Sequence, residues 1–372
     1  MLNPTDERDL AQAVTEADGP LRIRGGGTRD QGRPVAGRDL SVASLRGIIL
    51  HEPGALTLVA RAGTPLAEIE RALAGEGQRL AFEPMDHRVL LGGGGQPTIG
   101  GAVAANASGP RRVQSGACRD FLLGVRFVDG TGAIIKNGGR VMKNVTGYDL
   151  VKLMAGSWGT LGVLTEVSLK VLPIVPETAT LILHGLDDRQ AVAALSAGLC
   201  SPFEVTGAAH LPAEGRTLLR IEGFADSVGY RAGRLRDLLA RFGTAETVRD
   251  AEAGREIWAG IRDVAALAGR QGDVWRVSVK PSDGPEVVAR AGALAAQYDW
   301  GGGLVWLLTE PGTDLRPRLA GLGGHATLVR AAPETRARIA PFPPEPAPLA
   351  ALGRGLRARF DPRGVLNPGL MD

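Results

Sequence analysis

Pro97-Thr98-Ile99-Gly100-Gly101-Ala102-Val103-Ala104-Ala105-Asn106-Ala107-Ser108-Gly109 is the stretch on which the reading of this chain turns. Almost every side chain in it is tiny, so a ligand or a second backbone can approach the main chain closely. Successive N–H groups are then left open, and Thr98, Asn106 and Ser108 add side-chain donors. A second stretch of this kind, Arg24-Gly25-Gly26-Gly27-Thr28, follows the short strand expected over Leu21–Arg24. A dinucleotide needs such groups, because its pyrophosphate is neutralised by backbone N–H groups at glycine turns and helix starts. Taken alone, a Gly/Ala run more often marks a close helix contact. The G-x-G-x-x-G fingerprint, the P-loop and the G-x-S-x-G elbow are all missing.

Working outward, Asn3-Pro4 reads as a helix cap, with Leu10, Ala13, Val14 and Ala17 as the apolar stripe. Leu56 to Ala62 reads as a strand, and Thr64-Pro65 opens a helix carrying Leu66, Ile69 and Leu73 on one face. Val125 to Ile135 reads as a hairpin, and Leu161 to Leu172 alternates as a strand up to Pro173. Pro173 and Pro176 mark the best boundary. Beyond it, strands are expected at Thr180–His184, Thr217–Phe224, Val274–Lys280, Leu304–Thr309 and His325–Ala331, with helices at Asp188–Leu199, Ser227–Arg241, Ala251–Leu267 and Pro285–Gln297. That texture suits an antiparallel sheet with helices on one face. A proline-rich linker, Pro341 to Pro348, leads to a last helix ending near Phe360. The division expected is 1–174, 175–340 and a returning tail, 341–372. No internal repeat stands at a fixed period.

Composition narrows the function classes. The 372 residues carry 43 basic and 40 acidic side chains, a net charge of +3, with no basic run interleaved with aromatics. That is no nucleic-acid footprint. No apolar run approaches the ~20 residues of a membrane span, and the acidic, polar start from Met1 to Asp9 does not read as a signal peptide. Cys118 and Cys200 form no C-x-x-C pair, which argues against an iron–sulfur cluster or cysteine zinc site; two buried thiols are expected. His51, His87, His184, His210 and His325 lie far apart, so no metal is expected.

Several motifs occur together in one order: Gly25–Thr28, Thr98–Gly109, Arg119-Asp120-Phe121, Lys143 to Leu150, Gly159 to Glu166, and the terminal Asn367-Pro368-Gly369. Together they resemble the FAD-binding domain of the vanillyl-alcohol oxidase and p-cresol methylhydroxylase group (PCMH type). The resemblance implies an α+β fold: two α+β subdomains that clasp an extended FAD, followed by a cap domain whose antiparallel sheet is covered by helices. Ala107 to Arg112, Val141 to Asp149 and Gly323-Gly324-His325-Ala326-Thr327 are similar to the FAD-binding E subunits of bacterial glycolate oxidase. That implies a cytoplasmic subunit that reaches the inner membrane only peripherally, through its complex. Its implied partners are a larger flavin subunit and an iron–sulfur subunit, its substrate a small 2-hydroxy acid, and its reaction glycolate to glyoxylate. A standalone dehydrogenase of another small alcohol, or a flavin relay without a substrate pocket, stays open beside it.

Carried over position by position, the resemblance implies that Gly25, Gly26, Gly27 and Thr28 form the first pyrophosphate loop. Thr98, Gly100, Gly101, Asn106, Ser108 and Gly109 make the second set of phosphate and ribityl contacts, with Arg112 adding a charge-assisted bond nearby. Gly162 and Val163 match a strand whose backbone meets the cofactor, and Asn367 the asparagine that returns to it. Covalent members carry a histidine in the first loop or a cysteine near position 118. The loop here holds Thr28, and Cys118 reads as a buried thiol, so FAD is expected to be non-covalent. The larger subunit's H-x-G-D-G-N-x-H metal segment is missing.

Oxidising a 2-hydroxy acid needs a cation for its carboxylate and a base for its hydroxyl proton. Arg276, in Trp275-Arg276-Val277-Ser278, is the candidate cation, and His325 the candidate base. A structural ion pair for Arg276 and simple packing for His325 are the ordinary alternatives. Strand alternation puts Arg276 and Ser278 on one face, with Trp275, Val277 and Val279 on the other. Trp300 is expected to roof the flavin or to lie in the cap core.

Overall fold

The computed structural model describes residues 1–140 and 147–372; Val141 to Thr146, the centre of one expected motif, lie outside the described residues. A five-stranded antiparallel sheet is built in the order Ile48–Glu52, Thr57–Arg61, Val163–Lys170, Leu122–Val128 and Ile134–Gly138. Leu66, Ile69 and Leu73 of the helix Leu66–Gly75 pack with Ile99, Ala102 and Val103 against Leu58, Phe127 and Val167 of this sheet. Beside it, Leu21–Arg24 pairs in parallel with Arg38–Ser41, under the helix Glu7–Thr15.

That first helix starts later than the Asn3-Pro4 reading. Its cap is Asp6, whose carboxylate accepts from the N–H groups of Arg8 and Asp9. The reason is tertiary: Leu2 is held in an extended ladder, donating to Asp39 O at 2.7 Å and accepting from Ser41 N at 2.9 Å.

An eight-stranded antiparallel sheet follows, in the order Ala245–Val248, Glu177–His184, Arg216–Gly223, Val205–Leu211, Ala295–Asp299, Leu304–Thr309, Asp273–Ser278 and His325–Arg330. Read outward from its centre, the two halves have the same topology. Each begins strand–helix–strand–strand, and the halves join through their second strands, where His210 faces Tyr298. No fixed period shows in the sequence, because the last connection carries the 15-residue helix Ala225–Leu239 in one half and only the 4-residue 3-10 helix Arg316–Leu319 in the other.

Three of these strands escaped the sequence reading. The helix expected over Pro285–Gln297 stops at Ala291, where Gly292 turns left-handed at φ 61°, and the rest becomes the strand Ala295–Asp299. Val205–Leu211 is buried along its whole length, so it shows no alternation, and Ala245–Val248 is only four residues. Nor do helices cover one face alone. Asp188–Leu199 and Ala225–Leu239 pack on Leu181, Leu183 and Leu219. Ala251–Arg262 lies on the opposite face, with Trp258 and Ile261 against Ile182, Ala209 and Leu218. Met85 and Leu90 continue that face, packing on Val274, Trp306 and Leu308, so the sheet closes over the first half of the chain.

The helix Ala347–Phe360 returns the chain, with the Phe360 ring 6.2 Å from that of Phe127 and tilted to it. The tail then adds to the first strand: Leu21 N donates to Val365 O at 2.7 Å, and Asn367 N to Leu21 O at 3.0 Å.

Candidate functional site

Two cavities meet where the eight-stranded sheet closes over the glycine segments. The first is a cleft of about 720 Å³. Gly25, Gly26, Gly27 and Thr28 form one wall, Thr98, Gly100 and Gly101 a second, and Gly162, Val163 and Asn367 the far end. Three glycines are dictated by packing. A Cβ on Gly26 would lie 1.6 Å from Gln96 O, one on Gly100 2.6 Å from Ala62 Cβ, and one on Gly162 2.5 Å from Phe127 Cδ2. Gly27 differs, with φ +70° and nothing within 4 Å of its Cβ position, so it faces open space. Thr98 is spent on structure: its hydroxyl caps the helix Ile99–Ala104 by accepting from Gly101 N. Asn367 is a stitch, accepting from Ile23 N at 2.7 Å and donating to Trp158 O at 2.9 Å.

The second cavity, of about 1010 Å³, adjoins the cleft at Ala105 and Trp158. Asn106, Ser108 and Arg112 line it from the glycine segment, and Arg276 and His325 from the sheet. Among the described residues no carboxylate lines it. Arg276 stands on the strand face expected for it, with Trp275 and Val277 buried behind at 0% and 1% exposure. Ser278 pairs with His325 and Arg276 with Thr327 across the ladder, so all four side chains share the cavity wall. Trp300 is shared between two cations: the Arg112 guanidinium lies 4.7 Å from its ring centre and that of Arg276 5.1 Å. Its indole donates to Gly109 O at 3.1 Å, which places Gly109 at the seam and outside both cavities.

Charge in the second cavity is one-sided. Burial, then the nearby Arg112, lowers the Arg276 guanidinium to about 10. His325 sits exposed at the rim. Partial desolvation, then Arg276 and Arg112, pushes its pKa below the ordinary histidine value. Asn106 and Ser108 are tied up locally: Asn106 Oδ1 accepts from Arg119 N at 3.0 Å, and Ser108 Oγ accepts from Cys118 N at 3.0 Å.

The first 138 residues match the FAD binding domain family. Over 363 residues the chain is 37% identical to the glycolate oxidase subunit GlcE of Escherichia coli (strain K12), covering 97% of this chain and 94% of that one. The chain belongs to the GlcE family. The glycolate oxidase subunit GlcD of Bacillus subtilis (strain 168) is 30% identical over 199 residues, 52% of this chain and 41% of its own. A D-2-hydroxyglutarate dehydrogenase of Xanthomonas citri pv. viticola is 31% identical over 173 residues, 46% of this chain and 34% of its own. An alkyldihydroxyacetonephosphate synthase structure superposes with a TM-score of 0.71 at 17% identity, over 98% of this chain and 76% of that one, and shares the fold. The fold is thus the PCMH-type α+β arrangement implied by the motifs.

For a GlcE-family chain, the first cleft fits FAD on the structure's own terms. Among the described residues, the N–H groups of Gly25, Gly26, Gly27, Thr28 and Arg29 donate to no protein acceptor, five successive donors of the kind a pyrophosphate takes. Arg29 completes it, a residue the sequence reading passed over although it directly follows the loop. Burial is the main cause lowering its guanidinium to about 10, and no carboxylate bridges it among the described residues. FAD would take the glycine walls and Arg29, and its reactive ring would supply a two-electron acceptor.

Cys118 is a buried free thiol, raised to about 12 by burial, whereas Cys200 is free but exposed, against the expectation of two buried thiols. Among the described residues no cluster of His, Cys, Asp or Glu is arranged to hold a metal, and no helix is long and apolar enough to cross a membrane.

Beneath the seam lies a buried ion network that no local pattern announced. Glu83 accepts from Arg111 at 3.0 Å and from Arg220 at 2.9 and 3.0 Å. Glu222 pairs with Arg79 at 3.0 Å and with Arg111. Burial pushes the Glu83 carboxyl up, but the charges and hydrogen bonds of Arg220 and Arg111 outweigh it and hold it at about 2. This lattice joins the glycine-rich half to the eight-stranded sheet one residue before Arg112.

Proposed function

We propose that the chain is the FAD-binding subunit of a glycolate oxidase, in which residues 1–174 hold non-covalent FAD, 175–340 cap it, and 341–372 return to it. The observation that carries this reading is the carboxylate-free cavity, which sets Arg276 and His325 against Asn106 and Ser108, beside the glycine cleft. Arg276, on a strand paired on both sides, binds the substrate carboxylate through its planar fork. His325, kept neutral by partial desolvation and by two guanidinium charges, takes the hydroxyl proton. Trp300 and Trp306 shield the space from water. Arg112 lies on Trp300, in the cavity and not in the glycine cleft, so it adds to the positive field that attracts the substrate anion. A larger flavin subunit and an iron–sulfur subunit complete the complex and carry the electrons away, and the assembly is cytoplasmic.

Glycolate added anaerobically to the purified, FAD-loaded chain tests the reading: loss of the flavin's visible absorbance is expected. Retained colour in the isolated chain, with bleaching only in the assembled complex, would assign this chain to electron relay.

A further inference from the structure

Cleft and cavity are joined by one side-chain pair. Arg29 lines the cleft, and its Nε lies 3.2 Å from Nδ1 of His87. His87 is 7% exposed and lines the second cavity. A guanidinium has only donors, so Nδ1 must offer Arg29 its lone pair, and the ring proton then resides on Nε2. The Met85 carbonyl also lies 3.2 Å from Nδ1. A proton on Nδ1 aimed at it would set N–H against N–H at Arg29. Among the described residues, Nε2 has no protein partner. Nε2 is not sealed in the core: it keeps accessible surface on a ring that lines the second cavity, so its donor is open to a ligand there.

We propose that His87 is a substrate-contacting residue, whose Nε2–H, fixed by Arg29, donates a hydrogen bond to the carboxylate held by Arg276. This rests on the reading of the cavity given above. The charged groups facing His87 are Arg29 from the glycine loop, Asp86 beside it and Arg276 from the sheet. Burial and Arg29 hold the imidazole neutral, down to about 3, so the donor persists through the physiological range. It follows that His87 cannot serve as the base, and the two histidines of the cavity divide the work: His325 titrates and His87 does not.

The test uses oxalate, an unreactive dicarboxylate, titrated into the FAD-loaded chain and followed by perturbation of the flavin spectrum. His87→Leu should weaken oxalate by at least about tenfold, as for a lost bond to a charged acceptor, with FAD content unchanged. His87→Gln, which keeps a donor, should stay within about threefold of wild type. Long-range ¹H–¹⁵N correlation spectra of the chain should show His87 as the Nε2–H tautomer from about pH 5 to 8, and as a mixture in Arg29→Gln. Equal oxalate affinity in His87→Leu, or a His87 resonance that titrates in this range, would overturn the proposal. Failure of wild type to bind oxalate at all would overturn the cavity reading with it.

Discussion

Trp300 donates its indole N–H to the carbonyl of Gly109 at 3.1 Å, pinning the eight-stranded sheet to the end of the glycine-rich segment. The guanidinium groups of Arg112 and Arg276 both lie over the same ring. Trp300→Phe keeps a face for both cations and loses the hydrogen bond, so a cost of about 1 kcal/mol is expected. Trp300→Ala also removes the ring and should cost about 3 kcal/mol or more. Thermal unfolding of the two variants orders the effects; equal losses would mean that the ring's faces contribute nothing.

Glu83 is the anion shared by Arg111 and Arg220. Glu83→Gln leaves two buried cations short of a partner, a loss of about 3–5 kcal/mol. Because the folded carboxyl is depressed to about 2, its contribution is complete above the unfolded value of about 4.3 and fades as pH falls from there through 2. Wild type should therefore lose stability on acidification faster than the variant, so that the gap in Tm between them narrows below about pH 4.

Gly101 separates steric from electrostatic effects in the cleft. A Cβ there would sit 3.2 Å from two side-chain atoms, Arg29 Nη1 and Thr98 Oγ1, and from nothing closer. Gly101→Ala should bind FAD nearly normally, whereas Gly101→Asp, which puts a carboxylate among the open donors, should abolish binding. Fluorescence titration of apoprotein with FAD distinguishes them. A folded Gly101→Asp protein that stays yellow would falsify the placement of the cofactor.

Non-covalent FAD predicts that acid precipitation releases all flavin into the supernatant. Yellow colour kept in a washed pellet would contradict it.

Arg276 and His325 should separate in kinetics. Arg276→Ala, losing an ion pair worth about 2–5 kcal/mol, should raise KM steeply. His325→Ala should lower kcat. Since the His325 pKa is lowered, the acid limb of kcat/KM belongs below the ordinary value of about 6.5 and should vanish in His325→Ala. A limb unchanged in that variant would remove His325 as the base.

What the chain determined by itself was local. Alternation in Trp275-Arg276-Val277-Ser278 was enough to turn Arg276 away from the core, since successive strand residues point to opposite faces. The two glycine segments, read together in order, led to the cofactor family, because side-chain size is a property of sequence alone. Tertiary structure decided what no window could hold. Val205–Leu211 became a strand because neighbours on both sides bury it, and a fully buried strand carries no period. Arg29 meets His87 across 58 residues, and Arg220 meets Glu83 across 137. Cys200, which composition suggested would be buried, is exposed at the end of its helix. Partners for charged side chains are selected by burial, which forces an ion toward any available counter-charge or donor, and burial exists only once the two sheets have closed on each other.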